Sequence, residues 1–243
     1  MKTPKKLKVI GCGGIGGFLA DPLARFVGHS DAYRAAGVST TLCDVALIDG
    51  DKFEHRNSAR QHFEETVNKA EEKARILRKN HPRIFFRPVP EYLTEDNIIM
   101  NVREGDVIFC CVDNHTARRL VGERCEELDN VVLISGGNDE VDGNIQIHVR
   151  EDGVDITPSI LKYHPEIQEA EGDNPGDDDD VARMGCEQQV EAEPQLLFAN
   201  QMAANLMNIT FRNWAEDRLD YGEVYFNIDD MAVQKYSLEM RPA

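Results

Sequence analysis

The 243-residue chain lacks the marks of several common kinds of protein. No run approaches the roughly 18 apolar residues that a membrane span needs, so no transmembrane helix is expected. The start, Met1-Lys2-Thr3-Pro4-Lys5-Lys6, is basic but is followed by only a four-residue apolar strand, Leu7 to Ile10, itself interrupted by Lys8. That is not the plan of a signal peptide, and a cytoplasmic protein is expected. Basic residues are scarce: 27 Lys and Arg face 44 Asp and Glu, a formal charge of −17. A phosphate backbone needs a basic footprint, so nucleic acid is not expected as a partner. The six cysteines (12, 43, 110, 111, 125 and 186) form no CxxC pair, and the seven histidines form no HxxxH pair. Structural zinc is therefore not expected. Cys110 and Cys111 lie inside the apolar run Val107 to Val112 and read as small buried side chains.

What the chain does have is a concentration of glycine after its first apolar strand, in Val9-Ile10-Gly11-Cys12-Gly13-Gly14-Ile15-Gly16-Gly17. Such a turn can bring backbone N–H groups and the first turn of the next helix against phosphate oxygens. Taken alone it also serves merely to pack a helix close to a strand, so the rest of the chain decides.

Leu7 to Ile10 reads as the first strand, followed by a helix with Ile15, Phe18, Leu19, Leu23 and Phe26 on its apolar face. Pro22 should kink or break that helix. After a loop around 29–41 comes a buried strand, Val45 to Ile48, ending in Asp49-Gly50-Asp51. In a doubly wound sheet, ligands sit at the carboxyl ends of the strands, where an acid such as Asp49 can accept ribose hydroxyls. A helix is expected over Glu64 to Asn80 with Val67, Ala70, Ala74 and Leu77 on one face and Lys73 at its edge. Further strands are expected at Ile84 to Phe86, Val107 to Val112, Val131 to Ile134 and Asn144 to Val149, with a short helix over 91–104. The fourth strand ends in Asp113-Asn114, where a carboxylate is placed to hold Mg²⁺ beside phosphates, and Arg118 follows. Residues 166–180 carry eight acidic and no basic side chains and read as a solvated loop that repels itself, running to about residue 185. A long helix from Pro194 to Leu219 and an alternating edge strand, Gly222 to Ile228, close the chain.

The GxGGxG turn, the strand ending Asp-Gly-Asp, Asn57, Arg60-Gln61, Lys73 thirteen residues beyond Arg60, and Asp113-Asn114 with Arg118 together resemble the ThiF/MoeB/HesA superfamily. This group includes the adenylation domains of ubiquitin-activating enzymes, and the match covers roughly residues 7–150. The resemblance implies one Rossmann-like α/β domain over 1–243. Its mostly parallel sheet would carry helices on both faces, a C-terminal helix and antiparallel edge strands. It also implies ATP-dependent adenylation of the C-terminal carboxylate of a ubiquitin-like or sulfur-carrier protein, with Mg²⁺, in a homodimer. By motif position, Gly11, Gly13, Gly14 and Gly16 would form the nucleotide loop and Asp49 would hold ribose. Asn57, Arg60 and Lys73 would grip the triphosphate, and Asp113 would bind Mg²⁺ and phosphate. Asp51, Gln61 and Asn114 belong to the same nucleotide-contacting set.

The sequence departs from the family pattern in places. Ser58 stands where a leucine is usual, CxxC pairs are absent, and only six residues precede the first strand. In many relatives an N-terminal arginine reaches a partner's site, so another arginine or another protein is expected to complete this one. Cys186, before the last helix, matches the place where several relatives carry an acyl group as a thioester or persulfide; its other reading is a small loop residue. A nucleotide-binding scaffold without turnover and an NAD-dependent oxidoreductase remain as alternatives. Arg60, Lys73 and Asp113 speak against the second, because a nicotinamide site does not need that set.

Overall fold

The computed structural model describes residues 2, 4, 6–29, 43–59, 61–169 and 194–237. Strands β1 (Lys6–Ile10), β2 (Asp44–Ile48), β3 (Phe85–Val89), β4 (Val107–Cys110) and β5 (Val131–Asn138) run parallel in the order β3-β2-β1-β4-β5. Strands β6 (Asp142–Glu151), β8 (Glu223–Asn227) and β9 (Ala232–Tyr236) extend the sheet antiparallel beyond β5, and the short β7 (Val154–Asp155) pairs with β6.

Helices cover both faces. Helices α1 (Gly14–His29), α2 (Lys69–Asn80) and α7 (Pro194–Ala215) pack on Val9, Leu47, Phe109, Ile134 and Ile147. On the other face α3 (Ile98–Asn101), α4 (His115–Glu126), α5 (Ile160–Tyr163) and α6 (Pro165–Glu169) pack on Ile10, Ile48, Ile108 and Leu133. Central parallel strands buried on both sides read as unbroken apolar runs, which is why β1, β2 and β4 are plain in the sequence.

Several boundaries differ from expectation, each for a physical reason. Helix α1 runs unbroken through Pro22, which faces solvent on the outer side, where the carbonyl it leaves unbonded can turn to water. Helix α2 starts at Lys69 and not at Glu64, because Asn68 caps it. The Asn68 carboxamide oxygen accepts the N–H groups of Ala70 and Glu71, while its Nδ2 donates to the carbonyls of Asp49 and Asp51 at 2.8 and 2.9 Å. Val67 is consequently 37% exposed instead of lying on the packed face. The helix expected over 91–104 shrinks to α3, and α7 stops at Ala215, with Asp217 in the left-handed region at φ 54°.

The stretch Gly222 to Ile228 is not an edge. Strand β8 pairs with β6 on one side and β9 on the other, so β9 is the edge. The acidic stretch also begins differently from a solvated loop: 165–169 form α6, Ile167 is buried, and Glu166 is bonded to His164. Residues 170–193, with the rest of that stretch and Cys186, lie outside the described residues, as does Arg60.

Candidate functional site

Strand order reverses between β2 and β4 on either side of β1, and the glycine turn lies at that point. Gly11 has φ +85°, and a Cβ there would lie 2.8 Å from the Cys111 carbonyl oxygen. The main chain therefore fits only without a side chain. The Gly11 N–H donates to the Ile48 carbonyl at 2.9 Å, which ties the turn to the end of β2. A Cβ at Gly16 would fall 1.9 Å from the Gly11 carbonyl oxygen, so Gly16 serves close packing of helix on turn rather than the surface of the cleft. Gly17 makes the first N–H bond of α1, to Gly13 at 3.0 Å. The N–H groups before it form the open, electropositive end of the helix.

This helix end faces a cleft of about 930 Å³. Gly11, Gly13, Gly14, Asp49, Asp51, Asn57, Gln61, Asp113 and Asn114 all line it, so the turn and the strand-end acids of the sequence reading meet in one place.

Asp49 is tied into the turn itself. Its Oδ2 accepts the Cys12 N–H at 2.6 Å and its Oδ1 the Asp51 N–H at 2.9 Å. Burial pushes its carboxyl up, against the pull of Lys69 and of those N–H groups. At Asp51 burial works the same way, but bonds from Lys69 at 2.7 Å and from the Tyr92 hydroxyl outweigh it and hold the carboxyl low. Lys69 also feels Asp49 and Asp113, and these acids raise its ammonium despite burial. Lys69 was not visible as a site residue in the sequence; the cap at Asn68 places it in the first turn of α2, facing the cleft. Asp113 is exposed at the end of β4, and Asn114 caps α4 by accepting the Ala117 N–H at 2.8 Å.

Lys73, expected at the edge of α2, is buried. One turn deeper than Lys69, it is 6% exposed, and its Nζ donates to the His62 carbonyl at 2.5 Å. It lies 5.5 Å from the Phe53 ring, on which Phe63 stacks at 4.6 Å. Burial lowers its ammonium. It lines a smaller hollow of about 260 Å³ that shares Gly13, Gly14 and Gln61 with the main cleft. Lys73 thus lines the smaller hollow and not the main cleft. The Asn57 carboxamide oxygen accepts the Glu54 N–H at 2.9 Å. Arg118 is committed to the strand ends, donating to Ser135 Oγ at 2.7 Å and to the carbonyls of Gly136 and Val112.

Beyond Arg118 the cleft continues as a second arm across β5, β6, β8 and β9. Register sets Gly137, Asn144, Tyr225 and Gln234 in one row, and Ser135, Gln146 and Glu223 in the next. Glu166 and Ile167 of α6 line the side. His164 bridges two acids, Nε2 to Glu223 at 2.9 Å and Nδ1 to Glu166 at 2.8 Å. Gln146 is 7% exposed, and its Oε1 has no partner among the described residues. Asn200 of α7, another residue absent from the sequence reading, sets its carboxamide against Gly14. The strict alternation of Asn144-Ile145-Gln146-Ile147-His148-Val149 was the available signal for this polar face.

Comparison with known proteins gives a consistent set of likenesses. A sequence model of the ThiF family matches residues 4–186. The adenylyltransferase and sulfurtransferase MOCS3 of Mus musculus is 32% identical over 149 residues, covering 60% of this chain and 29% of that protein. Its namesake in Bos taurus is 34% identical over 121 residues, covering 48% and 24%. The chain thus spans under a third of the length of these relatives. Among solved structures, E. coli MccB with ATP has a TM-score of 0.68 at 18% identity, covering 99% of this chain and 66% of that one. PaaA has a TM-score of 0.65 at 16% identity, covering 96% and 72%. At those identities the likeness is one of fold.

Proposed function

The chain belongs to the ThiF family, and from that premise we propose that it is an ATP-dependent adenylyltransferase acting on the C-terminal carboxylate of a small ubiquitin-like or sulfur-carrier protein. The observation that carries this reading is the meeting of the α1 N-terminus with Asp49, Asp51 and Asp113 in one cleft at the sheet's switch point. In the reaction a carboxylate oxygen of the acceptor attacks the α-phosphorus. An acyl–phosphate bond forms, the bond to the bridging oxygen breaks, and pyrophosphate leaves. Charge building on the phosphates would be met by the N–H groups of the glycine turn. Asp49 would accept ribose hydroxyls with the lone pairs its two N–H partners leave over. Asp113, an exposed carboxylate at a strand end, fits Mg²⁺ of the kind that takes one protein ligand and completes its shell with phosphate and water. When bound, that ion would neutralise phosphate charge.

Asn57, Arg60, Gln61 and Lys73 complete the proposed phosphate grip. For Lys73 this requires segment 61–63 to release its ammonium from the His62 carbonyl. The reading includes a homodimer, and a second step that passes the acyl group to the Cys186 thiol. The five cysteines among the described residues do not suit that step: all are buried. Burial pushes the Cys43 thiol up to about 12 and those of Cys12, Cys110, Cys111 and Cys125 upward as well. Among the described residues no helix is long and apolar enough to cross a membrane.

The test is ATP–pyrophosphate exchange with magnesium, in the presence of small β-grasp proteins ending in Gly-Gly. Exchange that depends on one such protein supports the reading, and a band sensitive to reductant that disappears in Cys186→Ser supports the second step. ATP binding without exchange for any candidate favours a scaffold. NAD binding in place of ATP overturns the reading.

A further inference from the structure

We propose that Asn200, on α7, is a further binding residue of the site, whose carboxamide Nδ2 donates to a phosphate oxygen of a nucleotide seated at the N-terminus of α1. The inference deepens the adenylation reading and takes from it only the identity of that nucleotide as ATP.

A polar side chain at this place needs a reason. The face of α7 that packs into the molecule is apolar, with Ala199, Ala203, Ala204, Met207 and Phe211 all in the core. Asn200 stands among them at 7% exposure, and among the described residues its carboxamide makes no hydrogen bond. Nearly all buried side-chain amides in folded proteins are bonded. Two turns further along the same helix Asn208 shows the usual case. Its Nδ2 donates to the carbonyls of Leu19 at 3.3 Å and Ala204 at 3.1 Å, which ties α7 to α1. Asn200 has no such task within the fold.

The second observation is where the side chain lies. Asn200 lines the main cleft and not the smaller hollow that adjoins it. A Cβ at Gly14 would fall 2.7 Å from Asn200 Nδ2 and 2.8 Å from its Oδ1, so the carboxamide rests on the first residue of α1. That also gives Gly14 its reason, because a side chain there would push the carboxamide away. Gln61 holds the matching place one residue earlier: a Cβ at Gly13 would lie 3.5 Å from its Nε2. Two carboxamides therefore flank the Gly13-Gly14 step, one from the chain before α2 and one from α7.

The chemistry of that step is the chemistry of an anion site. The first N–H groups of α1 have no partner within the helix and carry its positive end. A phosphate drawn to them presents several acceptor oxygens, more than the backbone alone satisfies. A carboxamide N–H at the side of the helix end adds a donor in a fixed direction without adding charge. Ribose is assigned to Asp49, so the group that reaches Gly14 is phosphate.

The test is isothermal titration of the full chain with ATP and magnesium, and separately with adenosine, in the absence of any acceptor protein. Asn200→Leu keeps the bulk and removes the donor, and is expected to weaken ATP about tenfold. Asn200→Asp sets a carboxylate against the phosphate and should weaken ATP about 100-fold. Adenosine, which carries no phosphate, should bind these variants as it binds the wild type. Asn200→Ala only removes atoms and should repeat the tenfold loss even if leucine does not fit. Wild-type ATP affinity in Asn200→Ala, a carboxylate no worse than leucine, or equal weakening of ATP and adenosine, as a merely structural role would give, would overturn the proposal. A chain that binds ATP through Asn200 but gives no pyrophosphate exchange would lose the adenylation reading and keep this one. Unchanged ATP affinity in the variants beside normal exchange would do the reverse.

Discussion

Toward the amino edge of the sheet, Lys8 lies 3.7 Å from Asp106 with both side chains buried, and His148 is bonded to Asp155, which Arg150 also holds. Toward the carboxyl edge, Gln61 and Gln146 each keep a buried carbonyl oxygen without a partner among the described residues. Lys8, His148 and Gln146 belong to the same sheet, and His148 and Gln146 lie two residues apart on the same face of β6. At the first edge the buried groups meet partners of opposite charge, although Asp106 Oδ1 and His148 Nδ1 keep no hydrogen-bond partner among the described residues. At the other they line open space beside a helix N-terminus. The first set is tied into the fold by charge, while Gln61 and Gln146 border the cleft.

Substitutions at the two edges should therefore separate activity from stability. The largest effect is expected at the open edge: Asp113→Ala should lower ATP–pyrophosphate exchange by about 100-fold or more while thermal unfolding stays where it was. Lys73→Ala should also abolish exchange, but with some loss of stability, because the ammonium is bonded within the fold to His62. Unchanged exchange in both variants would remove them from the site.

Next is the closed edge. Lys8→Ala leaves Asp106 buried without its cation, which costs about 3–5 kcal/mol in denaturant unfolding. Burial lowers the Lys8 ammonium and raises the Asp106 carboxyl, so Asp106 can take up a proton and the lower end of that range is expected. Joint replacement, Lys8→Met with Asp106→Leu, should recover most of the loss; if it does not, the pair is more than a matched charge.

Gly11→Ala joins both properties, since a Cβ at φ +85° meets the Cys111 carbonyl. It should cost about 1–3 kcal/mol of stability and weaken ATP binding together. A stable variant with normal binding would show that the turn has room to shift.

The smallest effect concerns two histidines, one toward each edge. Burial lowers the His148 imidazole despite Asp155. Its folded value lies below its unfolded one, so the stability it contributes is present above about pH 6.5 and is lost as pH falls through the folded value. Burial also disfavours the charge on His164, but the bonds to Glu223 and Glu166 outweigh it and raise the imidazole. Its contribution is full below about pH 6.5 and is lost as pH rises through the folded value. Unfolding free energies of His148→Gln and His164→Gln between pH 5 and 8 should depart from the wild type with opposite slopes. Parallel slopes would remove the contrast.

What the sequence shows of this molecule follows from the range of the signal. The glycine turn, the strand ending at Asp49 and the strand leading to Asp113 are written in consecutive residues, and the structure puts them together. The resemblance carried by those motifs likewise led to the family and the Rossmann-like sheet. Lys69 was missed because only the cap at Asn68, itself bonded to the carbonyls of Asp49 and Asp51, decides where α2 begins. Lys73 was set at the helix edge because periodicity does not show that its ammonium is buried against the His62 carbonyl. Gln146, Glu166 and Asn200 come together only after β6 turns back along β5 and α6 and α7 return to the sheet. That is pairing over long sequence separation, which no local pattern encodes. The mistaken edge at β8 has the same origin, since its alternation gives no hint that β9 follows and pairs with it.

Strand β6 places Ile145, Ile147 and Val149 in the core, while Asn144, Gln146 and His148 face the other way. The two sets are open to different histories. Change at the isoleucines and the valine must be matched by neighbours in α7 and β8, so it is slow and coordinated. Change at Asn144 or Gln146 alters what the cleft accepts and leaves the packing alone, so lineages that share this fold can drift apart in what they recognise by single substitutions along one strand.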